Sequence, residues 1–310
     1  MYISVIIPFY NSDKYINECL SSILSQKGDF HISEIIIVDD ASTERNVLNK
    51  TIHDWCSNIK LTVMPNTGLK GAAGARNTGL RAAISEWIIF LDADDVLTDD
   101  SINERVKLSK TYPQCGWIAG DLIIWNEDGS LEKSGFLKSR NRTYKVLHKA
   151  FELNHPILYE RPVTQFISVC LTQVGVSLLK KELIDTIGGF REHLRQAEDY
   201  QFWIRLAAIS DFVFVPKLLM FYRQHGTSTM AQDLAPRLWT VQAFEELLNE
   251  NNFSLYKPQI ESRLAEFHFE NSFYFRKKKL KHEALNSLTK SFLLKPNFNK
   301  ILLMIVTVFK

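Results

Sequence analysis

Short apolar runs alternate with amphipathic stretches through the first third of the chain. Ile3-Ser4-Val5-Ile6-Ile7, Ile35-Ile36-Ile37-Val38, Leu61-Thr62-Val63 and Trp87-Ile88-Ile89-Phe90-Leu91 are almost unbroken apolar runs. Such runs predict strands, and the last reads as buried on both faces. Pro8 ends the first ladder and Asn11 favours a turn. Helical spacing connects Tyr15, Ile16, Cys19, Leu20, Ile23 and Leu24, and then Val47, Leu48, Ile52 and Trp55, with Ser42 or Thr43 as the expected cap of the second helix. Gly74 to Leu80 predicts a helix of small residues. The alternation predicts a parallel sheet with helices on both faces.

Further on, Ser101 opens a helix carrying Ile102, Val106 and Leu108, and Cys115–Asp121 and Ile123–Trp125 predict two strands. From Asn126 to Gln165 the periodicity fades, which predicts a variable, partly mobile insertion facing the site. Gly188-Gly189-Phe190 predicts a turn. Glu198-Asp199 opens an amphipathic helix, and Phe212–Val215 and Leu218–Tyr222 predict strands before the polar loop at Arg223–Ser228. From Pro236 the pattern is helical only, over Leu238–Leu248, Ile260–Lys277, Glu283–Leu294 and Phe298–Phe309. The spacing of Ala284, Leu285, Leu288, Ser291, Phe292 and Pro296 resembles a single helical-repeat unit.

A chain of 310 residues with 45% hydrophobic and 23% charged positions is of ordinary globular composition, with room for one large domain or two. A net charge of +2 gives no general affinity for nucleic acid. Cys19, Cys56, Cys115 and Cys170 form no CxxC pair, so reduced thiols are expected rather than a structural zinc. The opening residues lack a basic region and a cleavage site, so no signal peptide is expected, and no apolar run approaches the ~20 residues of a membrane span.

The run Trp87–Leu91 ends in Asp92, Asp94 and Asp95. On an extended chain Asp92 and Asp94 point the same way. Carboxylates so placed, with no neighbouring Lys or Arg in the sequence, suit a hard divalent cation, Mg²⁺ or Mn²⁺. The plainer alternative is a solvated turn before a helix start. The run Ile35–Val38 also ends in acids, Asp39 and Asp40. Parallel strands bring both ends to one edge, where α/β sheets bind ligands.

These strand ends, taken with Ser22-Ile23-Leu24-Ser25-Gln26, Ala75-Arg76-Asn77-Thr78-Gly79, Gly188-Gly189-Phe190 and Ala197-Glu198-Asp199, resemble the family 2 glycosyltransferases of GT-A fold, over about residues 1 to 230. The resemblance implies an α/β, Rossmann-like, mostly parallel sheet with flanking helices, plus a C-terminal helical region at 231–310. It implies inverting transfer of a sugar from a nucleotide-sugar donor, by family habit a UDP-sugar, to a glycan or lipid-linked acceptor in surface polysaccharide biosynthesis. Pro8 and Tyr10 would flank the nucleobase, Asp39 and Asp40 would bind base or ribose, and Arg76 would sit near the diphosphate or base. Asp92 and Asp94 match the DxD motif, with Asp94 on the metal and Asp92 on ribose or metal. Asp199 matches the catalytic base, with a helix-start carboxylate as the alternative. His225 falls where several relatives keep a further metal ligand, and a structural histidine is the alternative. Arg223 could instead contact the diphosphate bidentately. The Gln-x-x-Arg-Trp signature of processive members is absent at Arg237-Leu238-Trp239, so one sugar per encounter is expected. A nucleotide-sugar binding protein without transfer activity is the competing class, and a nucleotidyltransferase is a third, though its Gly-rich loop is missing after Ile7.

The tail joins a basic run, Arg276–Lys281, to the apolar Ile301–Phe309. It suits either a cytoplasmic enzyme seated peripherally on the inner face of the cell membrane or a helix packed on the core or on a second copy in a homo-oligomer.

Overall fold

The computed structural model describes residues 1–43, 45–55, 57–226 and 237–309. Cys56 and residues 227–236, including the end of the polar loop expected at Arg223–Ser228, lie outside them. The chain divides into two compact units, Met1–Arg195 with Phe202–His225, and Gln196–Gln201 with Gly226–Lys310.

In the first unit the elements begin as β1 (Tyr2–Phe9), α1 (Ile16–Leu24), β2 (His31–Asp39), α2 (Asn46–His53), β3 (Lys60–Pro65), α3 (Ala72–Ala82) and β4 (Trp87–Phe90). These four strands are parallel, and Val5 pairs with Ile35 on one side and Ile89 on the other. Val5, Ile6, Ile7, Ile35, Ile37, Ile88, Ile89 and Phe90 are fully buried. Strands covered on both faces are apolar at consecutive positions for that reason.

The chain continues as β5 (Val96–Leu97), α4 (Ser101–Thr111), β6 (Trp117–Asn126), α5 (Phe136–Ser139), α6 (Asn141–Leu153), β7 (Ile157–Tyr159), α7 (Val163–Ser168), β8 (Ser177–Lys180), α8 (Lys181–Thr186), α9 (Glu198–Ala207) and β9 (Phe212–Gln224). The sheet order is β3-β2-β1-β4-β8-β6-β9-β5, with β7 paired to β9. β8 runs antiparallel between β4 and β6, and β6 and β9 are parallel to each other. The result is a mixed sheet whose parallel N-terminal half carries the acid-ended strands.

Three expectations change. The two strands predicted within residues 115–125 are one strand, β6, with register shifts on both sides of Asp121. The two predicted between Phe212 and Tyr222 are likewise one, β9, which runs through Pro216. The stretch 126–165 is structured rather than loose. In α6, Thr143, Leu147 and Ala150 are buried at helical spacing, and the carboxylate of Asp121 accepts N–H bonds from Leu137 and Lys138 of α5 at 2.8 and 3.1 Å.

The second unit holds the first turn of α9 and then α10 (Leu238–Asn249), a 3-10 turn (Asn251–Tyr256), α11 (Lys257–Lys277), α12 (Lys281–Leu294) and α13 (Phe298–Phe309). Phe244, Phe253, Ile260, Leu264, Phe267, Ala284 and Leu288 form its core. The Tyr200 ring meets Phe244 edge-on at 5.3 Å, and Phe244 meets Phe267 at 5.1 Å.

Candidate functional site

Phe9, Asp39 and Pro65 lie in one row across β1, β2 and β3. The polar residues after that row therefore gather at the C-terminal edge of the parallel strands. Asp40 is buried there, and both its oxygens are held: Asn66 Nδ2 donates to Oδ1 at 2.7 Å, and the Gly71 N–H donates to Oδ2 at 2.9 Å. Gly71 precedes α3, so a carboxylate sits at a helix start, where the dipole favours it. Glu192 fixes the same loop from its other side, accepting the Leu69 N–H at 2.7 Å and Asn77 Nδ2 at 2.9 Å. Asp39 is turned to local work, accepting the Ser42 N–H at 3.1 Å and Arg45 Nη1 at 3.1 Å. Tyr10 is half exposed at the same edge, with Lys70 Nζ 4.8 Å over its ring. Pro8 does not end the first ladder as expected: it pairs with Val38, and β1 runs on to Phe9 beside Asp39.

The turn after β4 places Asp92, Asp94 and Asp95 within four residues. Arg76, buried on α3, donates through Nη2 to Asp92 Oδ1 at 2.7 Å. The Lys- and Arg-free neighbourhood read from the sequence is thus corrected, because the partner comes from another element. His225 Nε2 faces Asp94 Oδ2 at 2.9 Å. Burial, and then the neighbouring Asp92, push the Asp94 carboxyl above its ordinary range against the opposing His225 bond. Asp95 is pushed up further, first by burial and then by Asp94. Burial thus disfavours the charged form of both carboxyls, and the closeness of the three acids adds to it.

Arg223, with Tyr15, Trp125 and Glu18, holds the end of β9 in place. The Tyr15 ring stacks on the His225 imidazole at 5.0 Å. The guanidinium of Arg223 lies 4.9 Å over Tyr15 and 4.0 Å over Trp125, and it is ion-paired with Glu18. Its Nε donates to the Asp94 carbonyl at 3.0 Å, while the Arg223 N–H donates to Asp95 Oδ1 at 3.1 Å. Arg223 therefore locks the acid turn to the histidine strand. By resemblance Arg223 is expected at a diphosphate, and Tyr15 enters the sequence pattern only as part of the α1 apolar spacing.

The Gly188-Gly189-Phe190 motif is structural. Both glycines have positive φ, +73° and +69°. Asn77 closes on Phe190 with two 2.9 Å bonds, and a Cβ at Gly189 would lie 2.5 Å from Asn77 Oδ1. Arg205 donates to the carbonyls of Ile187 and Gly189, and Phe202 stacks on Phe190 at 4.1 Å. Asp199 belongs to the second unit, in the first turn of α9 behind Ala197, whose φ is +61°. Its Oδ1 accepts the Tyr200 N–H at 2.7 Å.

Asp94 and His225, hydrogen-bonded to each other here, are two side chains that could hold a divalent cation. Two ligands ~2.1 Å from an octahedral Mn²⁺ or Mg²⁺ stand ~3 Å apart, and Asp94 and His225 are separated by 2.9 Å. Among the described residues no three His, Cys, Asp or Glu side chains converge as a closed cage. A cation on this pair would complete its shell from phosphate and water, the habit of such ions at phosphate sites.

Known proteins share this architecture. The Escherichia coli UDP-Glc:α-D-GlcNAc-diphosphoundecaprenol β-1,3-glucosyltransferase WfgD is 36% identical over 147 residues, 47% of this chain and 55% of that protein. The structure of Staphylococcus aureus TarS residues 1–349 with UDP-GlcNAc has a TM-score of 0.63 at 20% identity, covering 96% of this chain and 82% of that one. The Pyrobaculum calidifontis mannosyltransferase PcManGT with GDP-Man and Mn²⁺ has a TM-score of 0.62 at 20% identity, covering 99% and 79%. The matched region spans 61% and 40% of the length of the first two curated relatives. The sequence model described as glycosyl transferase family 2 matches residues 4–167, more than half of the chain, and the protein belongs to that family, with a GT-A fold.

Proposed function

We propose that this protein transfers one sugar from a nucleotide-sugar, by preference a UDP-sugar, to a hydroxyl of a glycan or lipid-linked acceptor, with inversion at the anomeric carbon. The observation that carries the reading is the convergence of the Asp92–Asp95 turn, Arg76 and His225 at the sheet edge that also presents Asp40 and Tyr10. Tyr10 and Pro8 offer a flat, partly apolar surface to a base. Asp40, pre-set by Asn66 and Gly71, keeps lone pairs for a base or ribose donor, and Asp39 braces the turn beside it. Asp92, oriented by Arg76, faces a ribose hydroxyl or the diphosphate side of the donor. Asp94 and His225 would hold Mn²⁺ or Mg²⁺, which when bound supplies positive charge against the departing nucleoside diphosphate.

Asp199 is assigned as general base. Its carboxylate takes the proton from the acceptor hydroxyl, the oxygen bonds to the anomeric carbon, and the bond from that carbon to the diphosphate oxygen breaks with its electron pair on the leaving group. Attack opposite the leaving group gives inversion. Support for the lipid-linked class is the name of WfgD, whose acceptor is a diphosphoundecaprenol saccharide. Support for the cation is the Mn²⁺ in the PcManGT structure. Such an acceptor would place the work on the cytoplasmic side of a membrane, and no helix among the described residues is long and apolar enough to cross one.

The test compares native protein with Asp199→Asn in a donor screen with Mn²⁺. Transfer should fall by about 10² or more while UDP affinity stays within twofold. Unchanged transfer by the variant would overturn the base assignment, and unchanged UDP binding without any transfer by native protein would leave only a binding protein.

A further inference from the structure

In the second unit, α13 packs on α12 and buries Lys300 and Thr307. Its other side exposes Phe298, Ile301, Leu302 and Ile305, by 76, 39, 53 and 50%. That spacing, i, i+3, i+4 and i+7, makes one continuous apolar stripe along the helix. Leu293, near the end of α12, is 73% exposed as well. Lys300, the only lysine of α13, turns inward, with Nζ donating to the carbonyls of Ser291 and Lys295 at 2.9 and 2.8 Å. The inward turn satisfies the open carbonyls at the end of α12 and leaves the outer face of α13 without charge. An apolar stripe of this kind marks a docking surface.

The charge of the same stretch of chain, from Arg276 onward, indicates what covers it. From Arg276 to Lys310 there are nine Lys and Arg against the single acid Glu283, a net +8, while the whole chain carries +2 and residues 1–275 therefore carry −6. Lys277, Lys278, Lys279, Lys281, Lys290 and Lys295 are all exposed. A second copy docking through this segment would set +8 against +8, which like-charge repulsion opposes. A surface with an apolar interior and anionic headgroups accommodates both features, as an in-plane amphipathic helix does.

We propose that α13 lies on an anionic lipid bilayer, its Phe298–Ile305 stripe in the headgroup–acyl boundary and the exposed lysines of residues 277–295 over lipid phosphates. The surface lies outside the residues assigned to sugar transfer, so this inference and that assignment stand or fall separately. The test is flotation of the full chain with vesicles of phosphatidylcholine alone or with about one-third phosphatidylglycerol, without donor or metal. Native protein should float with the anionic vesicles at least about tenfold better than with the neutral ones, and high salt should release most of it. Leu302→Glu with Ile305→Glu, or the milder Leu302→Ser with Ile305→Ser if the first pair lowers helix content, should abolish flotation with donor turnover unchanged. Lys277→Ser, Lys278→Ser and Lys279→Ser together should remove the preference for anionic vesicles. Flotation of the stripe variants equal to native, or native protein that stays with the unbound fraction, would overturn the proposal. So would a dimer in light scattering that the stripe variants abolish.

Discussion

Asp40 does not act as a lone carboxylate. Its geometry depends on the loop from Asn66 to Gly71, and that loop depends on Gly74. A Cβ at Gly74 would lie 1.9 Å from the Leu69 carbonyl oxygen, the atom that also accepts Asn66 Nδ2 at 3.0 Å. Gly74→Ala should push Leu69 outward and loosen both bonds to Asp40. The expected outcome in calorimetric titration is UDP affinity weakened roughly tenfold, about 1.4 kcal/mol, with a small loss of Tm. Unchanged affinity would show that the loop does not shape the nucleotide side. The acids themselves were legible in the sequence, because apolar runs that stop abruptly at carboxylates mark the ligand edge of a parallel sheet. Their partners were not. Arg76 reaches Asp92 from α3, Trp125 and Arg223 meet across β6 and β9, which pair only in the folded sheet, and Tyr15 joins them from the start of α1. Such contacts follow from strand order, which periodicity alone does not reveal.

At the scale of elements, the first four strands were readable because their apolar runs are nearly unbroken, although only β1, β2 and β4 are largely buried and β3 is at most half-buried. The later strands were harder. Gly120 and the register shifts around Asp121 split β6 into two apparent pieces, and Pro216-Lys217 did the same to β9. The helix α6 was missed because its buried positions, Thr143, Leu147 and Ala150, are few and lie among Arg, Lys and His. The cap of α2 was misassigned for a related reason. Neither Ser42 nor Thr43 caps it; Asp13, a residue from before α1, accepts the N–H groups of Val47 and Leu48 at 3.2 and 3.1 Å. Ser42 and Thr43 instead bond to Asn11, whose φ is +47°. A cap supplied by a different element has no local signature, although it satisfies the same open helix N–H groups, and a cap of this kind contributes about 1 kcal/mol. The fully buried Arg105 gives another non-local link: burial lowers its pKa to about 9, so it remains a cation at neutral pH while donating to the carbonyls of Gly175 and Ser177.

Across the whole molecule the two units should respond differently to acid. His268 is buried in α11 of the second unit, and burial, then nearby Lys290, lower its pKa to about 4 from 6.5. The unfolded chain binds that proton more readily than the folded one between those values. Stability from the neutral imidazole is therefore full above about pH 6.5 and is lost as pH falls towards 4. Moving from pH 7.5 to 5 should cost the second unit about 1–2 kcal/mol. Faster hydrogen exchange in α11 and α12 at pH 5 would report it, and His268→Gln should flatten the response.

The central claim is that the Asp92–Asp95 turn, with His225 across from it, forms a cation-dependent seat for a nucleoside diphosphate. Its most direct measurement is UDP binding by calorimetric titration, with Mn²⁺ and with EDTA, for native protein and for Asp94→Ala. The account predicts tight binding by native protein with Mn²⁺ only, and a loss of about tenfold or more on removing either the metal or the Asp94 carboxylate. Equal UDP affinity in all four conditions would contradict it.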